Sequence, residues 1–390
     1  MAHSNFRNTI VTIAFLIVIS FPFINGKLTI IKDIENTENR QPAAKPYFDI
    51  LQLDNFPSKY DNYFSDNFTV RQRLIKYYNQ LNLVLFKKSP LPDQIIIGND
   101  DWLFSGGKEI ETYRGKNRFK KSEMEQIRLE LEYRKKYLED RNCKFYFLIA
   151  PVKQNIYSEN VPISVYRYNK QSWGEQLIEY LNKHSVVKPI NAYKTLRESK
   201  KYGLLYYKLD NHWNQRGAFF AVNDALKQMN KDIPTVEGLS YSNYIADKTI
   251  SHGGNIASML SNTQMFTDSV FELYPQKGFT AVEVKKVGYP VDSGFAYPTE
   301  FETVQEIPNS HKPKILIISD SFGGNAFPFL SESFRRSVKI FDAWQYKLNE
   351  NIVNSEKPDV VLLIVLESNI RNILRFQSRL RKNDSNKQIK

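Results

Sequence analysis

Three short apolar runs, at 144–149, 314–319 and 360–366, most constrain how this chain folds. Each is rich in β-branched or large apolar side chains, is too short for a helix, and lacks the polar alternation of a half-exposed strand. Such runs read as strands buried on both faces of a parallel sheet. Amphipathic helical patterns lie between them, over 121–141, 172–183 and 217–229. Ile190 reads as a further short strand. Residues 95–104 read as strand, turn and strand, and 265–310 as an antiparallel insertion of shorter strands. The alternation predicts a doubly wound three-layer α/β/α domain around a parallel sheet. With 390 residues the chain can bury one large α/β core and still carry appendages.

The N-terminus sets the compartment. Residues 8–26 are uncharged, with an apolar centre over 10–24. At roughly 1.5 Å per residue this segment just crosses a hydrocarbon core of about 30 Å. No Ala-x-Ala-like site follows, so an uncleaved signal anchor is favoured over a removed signal peptide. Arg7 before the segment favours a cytoplasmic N-terminus. The expected organisation is a cytoplasmic head (1–8), a single transmembrane helix (9–25), a polar stalk (26–46) and a helical collar (47–94). A main domain (95–370) and a basic tail (371–390) follow. The collar is read from Tyr60, Phe64, Phe68, Leu74, Tyr78, Leu81 and Leu85, and Ser89-Pro90-Leu91-Pro92 ends it. The main domain would lie outside a bacterial cytoplasmic membrane, in the periplasm or beyond.

Composition excludes several classes. The formal charge is +12, but the cations are dispersed and no nucleic-acid motif accompanies them. The exception is the tail, where Arg371, Arg375 and Arg379 recur at helical spacing before Arg381 and Lys382. One cysteine, Cys143, allows no internal disulfide. No Cys pair, His-x-x-x-His or Walker-type phosphate loop occurs, so neither a metal nor a nucleotide cofactor is expected.

Ser321 follows one residue after the 314–319 run, in Ser-Asp-Ser-Phe-Gly-Gly-Asn. Strand ends leading into a glycine-containing turn are where α/β enzymes expose a nucleophile. A serine hydroxyl needs a base to take its proton, and the base needs a partner to hold its tautomer. Five histidines compete for that role: His3, His184, His212, His252 and His311. Only His212 and His252 fall in plausible site loops, and only His212 has an acid beside it, Asp210. The order acid, base, nucleophile differs from that of ordinary GDSL-type hydrolases, which carry the serine first. Backbone or side-chain groups of Ser321, Gly323, Gly324, Asn325, Gly254 and Asn255 are candidates for an oxyanion site. Trp213 is a candidate sugar platform against a core role, and Lys153 a candidate substrate contact against a solvated lysine.

Several landmarks together resemble one family, the SGNH-hydrolase-like polysaccharide O-acetyltransferases related to the alginate acetylation proteins AlgJ and AlgX. They are Tyr63-Phe64-Ser65-Asp66-Asn67-Phe68 with Arg71, Gly98-Asn99-Asp100-Asp101-Trp102-Leu103-Phe104, and Ala150-Pro151 with Lys153, Tyr157 and Pro162. Asp210-Asn211-His212-Trp213-Asn214 with Gly217, Gly253-Gly254-Asn255, and Ser319-Asp320-Ser321-Phe322 complete the set. The resemblance implies an SGNH-type α/β/α fold, an Asp-His-Ser triad and an acetyl-serine intermediate. It also implies a polysaccharide acceptor and an acetyl donor delivered by a membrane-bound O-acyltransferase partner. Acetylesterase chemistry would use the same residues, and a non-catalytic glycan-binding subunit would keep the same fold. Two departures stand out: Glu367-Ser368 where relatives end the last strand in Glu-Arg, and Asn255 where they often carry aspartate.

Overall fold

The computed structural model describes residues 2–34, 41–86, 88–260 and 265–379. They form two compact units, one of the described residues up to Pro92 with those between His252 and Phe266, and one of the remaining described residues. The sequence pattern did not reveal that 252–266 groups with the N-terminal residues, because a pairing so remote along the chain leaves no local periodicity.

The larger unit begins with a hairpin, β1 (Ile95–Ile97) and β2 (Leu103–Ser105), paired antiparallel. Then come β3 (Lys144–Ala150), β4 (Ile190–Asn191) and a second antiparallel hairpin of β5 (Tyr244–Ser251) with β6 (Asp268–Pro275). The remaining strands are β7 (Val282–Glu283), β8 (Glu302–Glu306), β9 (Lys314–Ser319), β10 (Arg336–Phe341) and β11 (Val360–Leu366). The main sheet has seven strands in the order β4-β3-β11-β9-β10-β8-β7. Its first five are parallel to one another. The expected parallel core is extended by an antiparallel edge, because β8 runs antiparallel to β10 and β7 to β8. Both antiparallel strands come from the segment read as an antiparallel insertion. They extend the sheet's edge, while β6, from the same segment, pairs away from it with β5.

All seven residues of β11 are buried, as its central place between β3 and β9 requires. Alternate side chains divide between two cores. Tyr146, Leu148, Ile315, Ile317, Leu362 and Ile364 pack with Phe219, Ala225 and Met229 of the helix Gln215–Asn230. Phe145, Phe147, Leu316, Ile318, Val361 and Leu363 face the other way, against the helices Lys121–Glu139 and Trp173–His184. The strands are thus apolar throughout because both faces are covered. The parallel register sets the carboxyl ends of β3, β11 and β9 side by side: Leu366 pairs with Ala150 and Ile364 with Ser319.

In the smaller unit the first helix runs Ala2–Leu28, longer than the expected 9–25, and contains an apolar span, Asn8–Leu28, of mean hydropathy 2.1. Helices Phe56–Asn67 and Arg71–Leu81 lie within the stretch read as a collar. At the other end of the chain, Arg371 is not part of a solvated cationic face. Its guanidinium lies 4.3 Å from the Phe119 and Trp173 ring centroids and pairs with Glu123 at 3.0 Å. Arg381 and Lys382 lie outside the described residues.

Candidate active site

Ser321 occupies the turn between β9 and the helix Gly323–Ser331, at the carboxyl edge of the sheet. The turn is held by the residue before it. Asp320 is buried, and one carboxylate oxygen accepts from the Phe322 N–H at 2.9 Å. The other accepts from the Leu366 N–H at 2.7 Å and the Tyr346 hydroxyl at 2.6 Å. Burial raises the Asp320 pKa against the lowering effect of those hydrogen bonds. The carboxylate thus ties the Ser321 turn to the end of β11 and to the loop after β10. Sequence reasoning missed this role, although Asp320 stands inside the Ser-Asp-Ser motif.

The loop that carries Asp210 and His212 is closed by an antiparallel bridge between Tyr206 and Trp213. Asp210 Oδ1 accepts from the His212 backbone N–H at 2.9 Å and faces its ring Nδ1 at 2.6 Å. A carboxylate can only accept, so Nδ1 carries the proton and Nε2 is left with its lone pair. Nε2 lies 2.7 Å from Ser321 Oγ. Burial lowers the His212 pKa, but the hydrogen bond and charge of Asp210, with Asp320 and Glu109 behind it, raise it above its ordinary value overall. The two-residue spacing in Asp-Asn-His lets one short loop present acid and base together, with Asn211 Nδ2 turned inward to donate to Glu109 Oε1 at 2.7 Å.

Lys153 lies behind this loop and is fully buried. Its ammonium donates to the carbonyls of Asp210 at 2.7 Å, Lys208 at 3.0 Å and Tyr207 at 3.1 Å, and also to that of Leu103. The reading of Lys153 as a substrate contact or a solvated lysine is corrected: it grips the backbone of the Asp210 loop from inside. Burial pulls its pKa down to about 7, opposed by the charges of Asp210, Glu109 and Asp268. Glu109 is pushed up to about 7 by burial, against its bond to Asn211 and the charges of Lys153 and His212. Nothing local in the sequence marks Glu109, which reaches the site from the helix Gly107–Arg114.

The other candidates divide. Trp213 is fully buried and donates from Nε1 to the Phe322 carbonyl at 2.9 Å, so it joins the two site loops and offers no face to a sugar. Asn325 directs its amide to the Trp213 carbonyl at 2.8 Å rather than toward Ser321. The N–H groups of Gly323 and Gly324 close turns onto the carbonyls of Asp320 and Ser321, each at 3.0 Å. Gly323 also has a packing reason, since a Cβ there would lie 2.0 Å from Ser319 Oγ. Gly324 has open space and lines the cleft. Gly254 and Asn255, at the start of the short helix Asn255–Met259, belong to the smaller unit.

Ser321 is exposed and opens into a cleft of about 230 Å³ lined with Glu300, Thr303, Gly324, Lys339 and Phe341. One wall comes from the antiparallel edge and the segment before it. Lys339 has its pKa lowered by burial, partly offset by Glu300. At the end of β11, Glu367 is buried. Its carboxylate accepts from the N–H groups of Gly174 at 2.9 Å and Val152 at 3.2 Å and from Asn155 Nδ2 at 2.8 Å. Ser368 is buried as well.

A hydroxyl, an imidazole and a carboxylate joined in this order can generate an oxygen nucleophile and return its proton to a leaving group. The fold is similar to that of Bacillus cereus PatB1, with a TM-score of 0.52 at 19% identity over 71% of this chain and 97% of that one. The O-acetyltransferase domain of Pseudomonas putida AlgJ aligns over 71% of this chain and 92% of its own, at 14% identity and a TM-score of 0.48. No curated protein sequence matches significantly. Residues 95–341 match the family described as "SGNH hydrolase-like domain, acetyltransferase AlgX". That match takes in Asp210, His212, Ser321 and most of the sheet around them, and this chain is a member of the AlgX family of SGNH hydrolase-like acetyltransferases.

Proposed function

We propose that this protein is a polysaccharide O-acetyltransferase working through an acetyl group on Ser321. The reading is carried by the unbroken chain from Ser321 Oγ through His212 to Asp210 at the floor of an open cleft. Ser321 Oγ attacks the acetyl carbonyl of the donor while its proton passes to His212 Nε2. Asp210 holds Nδ1–H and stabilises the imidazolium. His212 then protonates the leaving group, the carbonyl re-forms and acetyl-Ser321 remains. A sugar hydroxyl next gives its proton to His212 Nε2 and attacks the acetyl carbon. Collapse of that adduct releases the acetylated sugar, and Ser321 Oγ recovers the proton. The Ser321 N–H is the backbone donor we assign to the oxyanion, because those of Gly323 and Gly324 serve the turn.

The apolar span 8–28 would anchor the protein in a bacterial cytoplasmic membrane, with the acetyltransferase domain on the outer side. A membrane-bound O-acyltransferase would supply the acetyl group there. The glycan is an envelope or secreted polysaccharide.

The test is acetyl release from p-nitrophenyl acetate by wild type and Ser321→Ala, followed by mass spectrometry of an added polysaccharide. Equal rates in the two proteins contradict the serine mechanism. Release that depends on Ser321 but leaves every offered glycan unmodified favours an acetylesterase. An inactive protein that still binds glycan favours a non-catalytic subunit.

A further inference from the structure

The collar helix Arg71–Leu81 is inside out. Its buried residues are Gln72 and Asn79, and Asn79 Nδ2 donates to the Leu260 carbonyl at 2.8 Å. Its apolar and aromatic residues Leu74, Tyr77, Tyr78 and Leu81 are exposed, Tyr77 and Tyr78 each by 60%. Leu85, 67% exposed in the turn that follows, extends the stripe. Positions 74, 77, 78, 81 and 85 fall on one face at helical spacing. A helix in water buries that face and exposes its amides, so this one is built for a surrounding that takes apolar side chains.

The attachment of the collar indicates which surrounding that is. Thr69 Oγ1 donates to the Pro22 carbonyl at 2.7 Å, and the Phe23 and Phe64 rings stack at 5.4 Å. The start of the helix is held by Asp33, whose carboxylate accepts from the Gln72 and Arg73 N–H groups at 3.2 and 3.1 Å. The apolar span ends at Leu28. At about 1.5 Å per residue, Pro22 sits roughly 9 Å inside that end. The collar therefore grips the first helix within its apolar span, at a depth of about 5–10 Å where interfacial helices bury their apolar faces. Tyrosines belong at that level, with the ring among acyl chains and the hydroxyl among headgroups.

We propose that the exposed face of Arg71–Leu81, continued by Leu85, lies in the outer leaflet of the membrane as an interfacial helix beside the anchor. The proposal rests on the reading of residues 8–28 as a membrane span and is independent of the chemistry at Ser321. The lipid surface holds the collar at the headgroup level, which a single flexible anchor would not do.

The test uses the full chain in nanodiscs of phosphatidylethanolamine and phosphatidylglycerol, with an environment-sensitive fluorophore on Leu81→Cys and, separately, on Leu85→Cys. Wild type is the unlabelled control, because its only thiol, Cys143, is buried. We expect both labels to lose fluorescence to lipids carrying a nitroxide near the headgroup and to resist iodide. A label on the exposed Lys183→Cys should behave in the opposite way. A label on Ile17→Cys reports the anchor, through nitroxides near the bilayer centre. If Ile17 is lipid-quenched while Leu81 and Leu85 respond to iodide like Lys183, the interfacial helix is overturned and the anchor stands. If Ile17 also responds to iodide, the span itself is wrong and the proposal falls with it. Iodide protection of Leu81 that appears only in native membranes, without lipid quenching, assigns the face to a protein partner and likewise overturns the proposal.

Discussion

Replacing Lys153 with methionine separates a residue that positions the catalytic loop from one that merely fills space. Methionine occupies similar volume but offers no proton to the carbonyls of Leu103, Tyr207, Lys208 and Asp210, all now held within 3.1 Å. Lys208 keeps a second donor, the Leu103 N–H at 3.0 Å, so the main losses fall on the carbonyls of Leu103, Tyr207 and Asp210. A buried carbonyl without a partner costs roughly 1–3 kcal/mol. Losing three is partly offset because no ammonium need be buried, which leaves a net destabilisation of about 3–6 kcal/mol. The catalytic effect should exceed what stability alone explains. Releasing the Asp210 carbonyl frees the segment that aims His212 Nε2 at Ser321, and a shift of about 1 Å in such a contact costs on the order of 100-fold in rate. The assay is the rate of Ser321 sulfonylation by phenylmethylsulfonyl fluoride, followed by intact mass at a temperature where thermal melting shows the variant folded. We expect about a 100-fold slower reaction in Lys153→Met. Asn211→Ala, which removes the bond to Glu109 but leaves the lysine clamp, should lose far less. A folded Lys153→Met that reacts at the wild-type rate refutes the reasoning.

Other outcomes follow from the same geometry. Asp210→Asn should leave the fold intact and lower acetyl release by about 10³–10⁴-fold, because the amide no longer enforces the Nδ1–H tautomer. Since His212 must be neutral to act and its pKa is raised, wild-type acetyl release should fall as pH drops through a value above the ordinary imidazole value of about 6.5. Asp210→Asn should move that limb to lower pH, measurable in its residual rate. Gly323→Ala should cost about 1–3 kcal/mol by thermal unfolding, because its Cβ meets Ser319. Gly324→Ala, with nothing within 4 Å, should melt like wild type. Trp213→Phe should lose about 1–3 kcal/mol, since the buried Phe322 carbonyl would lose its indole donor.

The parts that were legible in the sequence share a physical origin. Strands covered on both faces must be apolar throughout, so β3, β9 and β11 announced themselves, and their alternation with amphipathic helices implied the parallel core. The proximity of Asp210, His212 and Ser321 was legible because only one of five histidines has an acid two residues away and because Ser321 follows a strand. The edge strands β7 and β8 were harder: residues such as Glu283, Glu302 and Glu306 carry no apolar run, and only pairing shows that they extend the sheet. Buried charges were the least legible. Lys153, Glu109 and Glu367 look like solvated residues in one dimension, and only neighbours remote in sequence supply the carbonyls and N–H groups that permit their burial. Trp213, read as either a sugar platform or a core residue, takes the core place, with its Nε1 partner 109 residues away.

The central claim is that an acetyl group resides on Ser321 between donor and glycan. Its most direct test is to incubate the full chain with p-nitrophenyl acetate, quench in acid, digest and locate the acetyl group by mass spectrometry. The account predicts acetylation on the peptide carrying Ser321 in wild type, none there in Ser321→Ala or His212→Ala, and loss of the mark when an acceptor polysaccharide is added before the quench. A wild-type protein that turns over the donor with Ser321 unmodified, or a mark that survives His212→Ala at the same level, would contradict it.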